Sequence, residues 1–248
     1  MMTLRVRRWP WWLPLLILLM IVGAAVRFVN LTAPPLDFHP TRQLRNSLVA
    51  RAVYYDLLPS TASAASAGAQ KRLLADSFER AVGRYEPPIS ESIVGFTFLL
   101  TGGESFAVPR IYETIFWLLA SVALFDLARR MTSPAAALIS LAYFLLLPFA
   151  VQASRSFQPD PLMTASFVAG MYFLYRWMES SRESVVTPGG GREWKWAILA
   201  GLFLGFAVLV KIVIAFLVIG GAVAAVLATF GRGFWKSPQV WAMALLSA

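Results

Sequence analysis

The chain alternates long apolar runs with short polar intervals, and the runs are of membrane length. A bilayer core about 30 Å thick demands roughly 20 apolar residues of helix. Six stretches meet that demand: Trp11–Val29, Arg110–Ala128, Pro134–Ala153, Pro161–Met178, Trp194–Val210 and Ile212–Phe230. The last two form one run from Trp196 to Phe230 broken only by Lys211. As a single helix this run would be about 50 Å long, so a hairpin turning at Lys211 is predicted instead. A seventh apolar segment, Val240 to Ala248, is too short to span, and the chain reads as a form cut inside a helix.

Between the first two spans lies a loop, Asn30 to Pro109, with its own pattern. Leu44, Leu48, Ala52 and Tyr55 recur at helical spacing, with Arg42, Arg45 and Asn46 largely off that stripe, which predicts an amphipathic helix at the membrane surface. A second is predicted over 70–82, after a low-complexity linker at 59–69. The prolines of Arg84-Tyr85-Glu86-Pro87-Pro88 pin the backbone before Ile89–Leu100, which is too short to span and is read as interfacial or buried against other helices.

Composition sharpens this picture. Of 248 residues, 58% are hydrophobic and 14% charged, and the mean hydropathy is +0.64, more apolar surface than a soluble domain of this size can hide. The net charge of +9 comes from basic residues scattered between apolar runs rather than gathered on one face, which favours membrane loops over nucleic acid. With no Cys and one His, disulfides, thiolate metal sites and His-only zinc sites are excluded. Arg5, Arg7 and Arg8 place the N-terminus in the cytoplasm, and alternation then puts Arg129-Arg130, the 179–194 loop and Arg232 to Lys236 inside. The first segment lacks a small-residue cleavage site and is read as an uncleaved anchor. The 30–109 loop falls outside. Its seven Lys/Arg do not contradict this, because loops above roughly 60 residues translocate largely regardless of charge.

That topology gathers Asp37, His39, Arg42, Glu86, Arg155, Asp160 and Lys211 on one side. Each has a structural reading beside a functional one. Asp37 and His39 precede Pro40, where side chains cap helix amides, and Asp160 sits between two prolines as a natural N-cap. Lys211 reads either as a snorkelling lysine or as a functional cation, since a charge near the membrane costs up to roughly 2.5–3.5 kcal/mol. Together, polar groups at this boundary suit chemistry on a membrane-embedded phosphate.

An amphipathic segment ending in Ala50-Arg51, then Glu86-Pro87-Pro88-Ile89, Arg110-Ile111, Gln158-Pro159-Asp160-Pro161-Leu162 and a lysine between paired spans occur in that order. This order resembles the N-terminal half of the GT-C glycosyltransferases, the group that includes protein O-mannosyltransferases and the lipid A aminoarabinose transferase. The resemblance implies an all-α polytopic membrane bundle with about six complete spans, a truncated seventh, and a large outer loop with amphipathic surface helices. The organisation is then 1–29 N-terminus and first helix, 30–109 outer loop, and 110–248 the remaining helices. It further implies transfer from a polyprenyl-phosphate sugar, with inversion, on the non-cytoplasmic face; the Ala/Arg-rich composition suggests a bacterium, and so its inner membrane. Two departures stand out. Many members carry an Asp-Glu pair about nine residues before the Ala-Arg, where this chain has Arg42-Gln43; His39-Pro40-Thr41-Arg42-Gln43 looks like a bacterial subgroup. Glu86 stands where better known relatives have Lys or His.

For inverting transfer, a carboxylate or imidazole takes the acceptor proton, which points to Asp37 with His39 as competitor, and Arg or Lys stabilises the leaving phosphate. Arg42, Gln43, Arg84, Glu86, Arg155 and Lys211 are the substrate-binding candidates. Asp160 completes the catalytic set, and Asp37, Glu86 and Asp160 are the ligands if a divalent cation binds. No Gly-rich nucleotide loop is present, in keeping with a lipid-linked donor. Membrane lipids and the donor are the expected partners, nucleic acid is not, and the acceptor is open. A transporter, or a catalytically incomplete membrane subunit, are the rival readings.

Overall fold

The computed structural model describes residues 10–58, 86–186 and 192–247, together with 73, 76, 77 and 80. Among the described residues every regular element is helical. In chain order these are α1 (Trp12–Phe28), α2 (Pro40–Leu57), α3 (Ile89–Thr101), α4 (Ala107–Met131), α5 (Pro134–Leu146), α6 (Pro148–Ala153), α7 (Asp160–Val186), α8 (Arg192–Val210), a 3-10 turn Ile212–Ile214, α9 (Ala215–Phe230), a 3-10 stretch Gly231–Lys236 and α10 (Pro238–Ser247). Three helices are long and apolar enough to cross a membrane, Ala107–Met131, Glu193–Val210 and Ile212–Phe230, and Trp12–Phe28, Ile89–Thr101 and Pro134–Leu146 are shorter apolar helices. The helix expected over 70–82 lies outside the described residues except for 73, 76, 77 and 80, which are helical.

Two apolar cores organise the bundle. One joins α7, α8, α9 and α10 around Leu174, Trp177, Ala200, Leu204 and Met243. Gly170 lets α7 and α8 approach closely, since a Cβ there would lie 2.6 Å from Leu204 Cδ2. The other joins α1, α4 and α5 around Trp117, Phe125, Leu138, Leu141 and Leu145. Apolar side chains on the outside remain bare, as lipid-facing surface does: Phe216 and Leu245 are each 80% exposed.

The stretch Pro134–Ala153 is not one helix. It breaks at Leu147 (φ −58, ψ 127), because a residue before proline is pushed out of the α region. Pro148 has no N–H to offer the Phe144 carbonyl, which accepts instead from the Trp117 indole at 3.1 Å. Across the same break the Leu145 carbonyl accepts from Arg27 at 2.9 Å. Arg27 is fully buried and donates also to the Ser154 hydroxyl at 2.6 Å, so one guanidinium ties α1 to both sides of the break.

In the large loop, α2 packs on α3. Gly95 makes this possible, since a Cβ there would lie 2.6 Å from the Ala50 carbonyl oxygen. The buried face of α2 includes Ala52 and Tyr55 from the expected apolar stripe, but also Gln43, Asn46 and Ala50, while Leu44 is 42% exposed. The amides are buried because they have partners to bond, which a hydrophobic period cannot register. Ile89–Thr101 is buried against another helix through Val94 and Phe98, one of its two expected placements.

Charged ends sort to opposite poles. Arg130 pairs with Glu179 at 3.1 Å, Arg176 lies over Trp196 at 4.6 Å, and Arg129 over Trp12 at 5.1 Å. Asp160 starts α7, 19 residues before Glu179, a rise of about 28 Å along the helix.

Two predictions follow from this packing. Arg27→Leu strands the Leu145 carbonyl and leaves the Ser154 hydroxyl with only its bond to the Val151 carbonyl, and is expected to destabilise by on the order of 3 kcal/mol, read as thermal denaturation in lipid nanodiscs. Glu91, 7% exposed in the first turn of α3, has its carboxyl pushed up to about 7 by burial, with Glu86 adding to the rise and Arg45 opposing it. Between pH 4.5, the ordinary value, and about 7 the folded state holds the proton that the unfolded state has lost. Stability therefore falls as pH rises through that window. Glu91→Gln removes the penalty, on the order of 3 kcal/mol, so its advantage in Tm over the parent should widen from about pH 5 to about pH 8. A constant difference would contradict the buried placement.

Candidate active site

The polar junction is assembled from three places. Pro159 and Pro161 bracket Asp160, which opens α7. Lys211 is the extended residue (φ −157, ψ 109) where α8 stops and the 3-10 turn begins. Its ammonium donates to both Asp160 Oδ1 and Oδ2 at 2.9 Å and lies 4.0 Å from Glu86 Oε1. Lys211 therefore turns inward, its side chain 17% exposed, rather than snorkelling outward. Both Asp160 oxygens face that ammonium rather than a helix amide.

The third contribution is α2. Asn46 donates to the Phe157 carbonyl at 3.1 Å, and the Phe157 N–H donates to Gln43 Oε1 at 3.2 Å, so two amides one turn apart clamp the loop that presents Asp160. This clamp holds Arg42 and Arg45 over the ion pair. They enclose, with Asn46, Glu86, Gln158, Pro159, Asp160 and Lys211, a cavity of about 330 Å³. Three cations face two carboxylates there, and the N-terminus of α7 adds its positive dipole end, so the cavity suits an anion.

The other described candidates do not line this cavity. Asp37 Oδ1 accepts from the Phe38 N–H at 3.0 Å and from Gln43 Nε2 at 3.1 Å, and Oδ2 lies 3.6 Å from Arg110. Partial burial pushes its carboxyl up, but the Gln43 amide, the Phe38 N–H and the Arg110 guanidinium outweigh it and hold the group below the usual carboxylate range. His39 is the N-cap residue of α2 with φ +48, makes no side-chain capping bond, and lies edge-on to Phe38. Asp37 does not cap α2 either; its backbone partner is Phe38. Gln43, 1% exposed, reaches Asp37 and the loop backbone rather than a cavity wall. Arg155 donates to the carbonyls of Val29 and Asn30 at 2.5 and 3.4 Å, at the end of α1, away from the cavity lining. Arg84 lies outside the described residues. As for a cation site, Lys211 holds the position between Asp160 and Glu86, Asp37 is engaged elsewhere, and no three Asp, Glu or His side chains among the described residues are arranged around a metal position. The residues present do not form the ligand set expected from Asp37, Glu86 and Asp160.

Some participants escape a reading of the chain. Arg45 lies one turn after Arg42 and so shares its face, a signal available from spacing. Glu113 carries another, a carboxyl inside an apolar span. It is fully buried on α4, with neither oxygen hydrogen-bonded. Glu91 and Asp160 lie close enough to act on it electrostatically. Arg110 donates to the Asn30 and Leu31 carbonyls at 2.6 and 3.2 Å, a role no motif announces.

No curated protein and no solved structure matches the chain. The family model for dolichyl-phosphate-mannose-protein mannosyltransferase matches residues 85–248, which takes in Glu86, Asp160 and Lys211 and leaves out α2. With most of its length matched, the chain belongs to this family of GT-C glycosyltransferases, integral membrane enzymes that draw on a polyprenyl-phosphate sugar donor.

Proposed function

We propose that the chain transfers a sugar from polyprenyl phosphate to an acceptor hydroxyl, with inversion, on the non-cytoplasmic face of a bacterial inner membrane. The reading includes six spans, with the 30–109 loop outside. The observation that carries it is the cavity around Lys211, where Arg42, Arg45 and Lys211 converge next to the first residue of α7.

In this mechanism the donor phosphodiester competes with Asp160 for the Lys211 ammonium. As the bond between the sugar's anomeric carbon and the phosphate oxygen breaks, the phosphate gains a second negative charge, which Lys211 and Arg42 stabilise. Arg42 is exposed and free to adopt a bidentate approach. Asp160 and Glu86 hold the lysine in place before the donor arrives. The acceptor oxygen attacks from the opposite face and its proton passes to a base. Asp37 is the first candidate: its Oδ1 is occupied by Gln43 and Phe38, while Oδ2 has only the longer approach of Arg110. His39, exposed beside it, is the competitor. Arg155 serves by holding the loop to α1 rather than by touching phosphate.

The test is transfer by the protein in lipid nanodiscs, supplied with a radiolabelled polyprenyl-phosphate sugar and scored for released polyprenyl phosphate. Asp37→Asn is expected to lower kcat by roughly 10²–10⁴ while leaving membrane insertion intact; full activity would sink the base assignment. Lys211→Ala is expected to lower kcat/KM by at least about 10². Unchanged turnover in that variant would move the phosphate out of this cavity.

A further inference from the structure

A second cavity, of about 350 Å³, lies on the other flank of α2. With 3.6 residues per turn, Ser47 and Arg51 project roughly opposite Arg42 and Arg45, with the buried Gln43, Asn46 and Ala50 between them. The two cavities differ in charge. Where the first has an excess of cations, the second has one of each sign: Arg51 Nε lies 2.8 Å from Glu104 Oε2. The Tyr55 hydroxyl completes the set, donating to Glu104 Oε1 and accepting from Arg51 at 3.2 Å. Both charged side chains remain partly open, Arg51 44% and Glu104 33% exposed, and both line the cavity. Around them stand the rings of Phe98, Phe106 and Phe157.

This combination selects by chemistry. Glu104 disfavours an anion, Arg51 disfavours a cation, and a purely apolar ligand would strip water from the pair without replacing its hydrogen bonds. A neutral polyol meets both demands, because each hydroxyl can donate to the carboxylate and accept from the guanidinium. A sugar ring also presents a C–H face that packs on aromatic rings. The volume lies within the range of small-molecule sites. Position supplies the link to the reaction: Phe157 walls this cavity, and the next three residues, Gln158 to Asp160, wall the first.

We infer that the Arg51–Glu104 cavity binds a neutral saccharide, the hydroxyl-bearing acceptor for the transferred sugar. The acceptor role rests on the transferase reading; the binding does not. A donor phosphate at Lys211 and an acceptor at Arg51 would occupy the two flanks of α2, so transfer requires the acceptor hydroxyl to reach the anomeric carbon past the loop from Phe157 to Asp160 that lies between the two cavities.

The experiment is saturation-transfer NMR on the chain in lipid nanodiscs free of glycoside detergents, whose headgroups would compete. The probes are neutral mono- and disaccharides, with a uronic acid and an amino sugar as charged counterparts. At least one neutral sugar is expected to bind, more tightly than either charged probe. Phe106→Ala, at a position 43% exposed and outside the apolar cores, is expected to weaken it by roughly tenfold. Glu104→Gln, which keeps an acceptor for Tyr55 while removing the charge, is expected to do the same. Absence of any neutral binder, equal binding of the charged sugars, or full affinity in both variants would overturn the site. If the neutral sugar binds but never receives label from any polyprenyl-phosphate sugar, while donor turnover persists, the acceptor role fails and the binding site stands. Absence of donor turnover altogether would instead strike the transferase reading.

Discussion

Carbonyl oxygens left over where helices end or break in apolar surroundings must find donors, and this structure meets that demand with arginine. Around the end of α1, Arg27 reaches Leu145 and Ser154, Arg155 reaches Val29 and Asn30, and Arg110 reaches Asn30, Leu31 and Pro34. All three are less than a tenth exposed. An arginine has five donors in a planar fork, so one side chain can satisfy several carbonyls at once. These contacts join α1, α4 and the 154–160 loop into one rigid base.

The polar junction is built on that base. Once Arg155 and Ser154 fix one end of the loop, Gln43 and Asn46 fix its middle at Phe157, and the remaining residues deliver Asp160 to Lys211. The same buried amide of Gln43 also holds Asp37. The proposed base and the cavity proposed for the donor phosphate are therefore coupled through one side chain, with α2 as the wall between that cavity and the one at Arg51.

Much of this was legible in the chain itself. Apolar run lengths located most helices to within a few residues, and the lone Lys211 between two runs marked the break between α8 and α9. The helix expected to end at Met178 instead continues to Val186, eight residues into the expected 179–194 loop, where Glu179 pairs with Arg130 and Arg176. The bracketing prolines singled out Asp160. The failures have physical causes. Hydropathy passed over Pro148 because a proline within an apolar run barely changes its mean, although it breaks the helix. Periodicity expected Leu44 on the buried face of α2, whereas partner availability buried Gln43 and Asn46. Spacing likewise cannot reveal that Arg155 reaches the Val29 carbonyl, 126 residues away.

What the sequence by itself determined is the class of molecule: a helical membrane protein with polar residues gathered in one large loop and at helix boundaries, since hydrophobic length and loop charge are local properties of the chain. Which of those polar residues meet was decided only by tertiary structure. The Asp160–Lys211 pair spans 51 residues and the Arg51–Glu104 pair joins α2 to the turn between α3 and α4, so neither exists until the helices dock. Docking also divided the basic residues between two tasks, satisfying buried backbone and facing a cavity, a division set by which oxygens lie within reach after folding rather than by residue type.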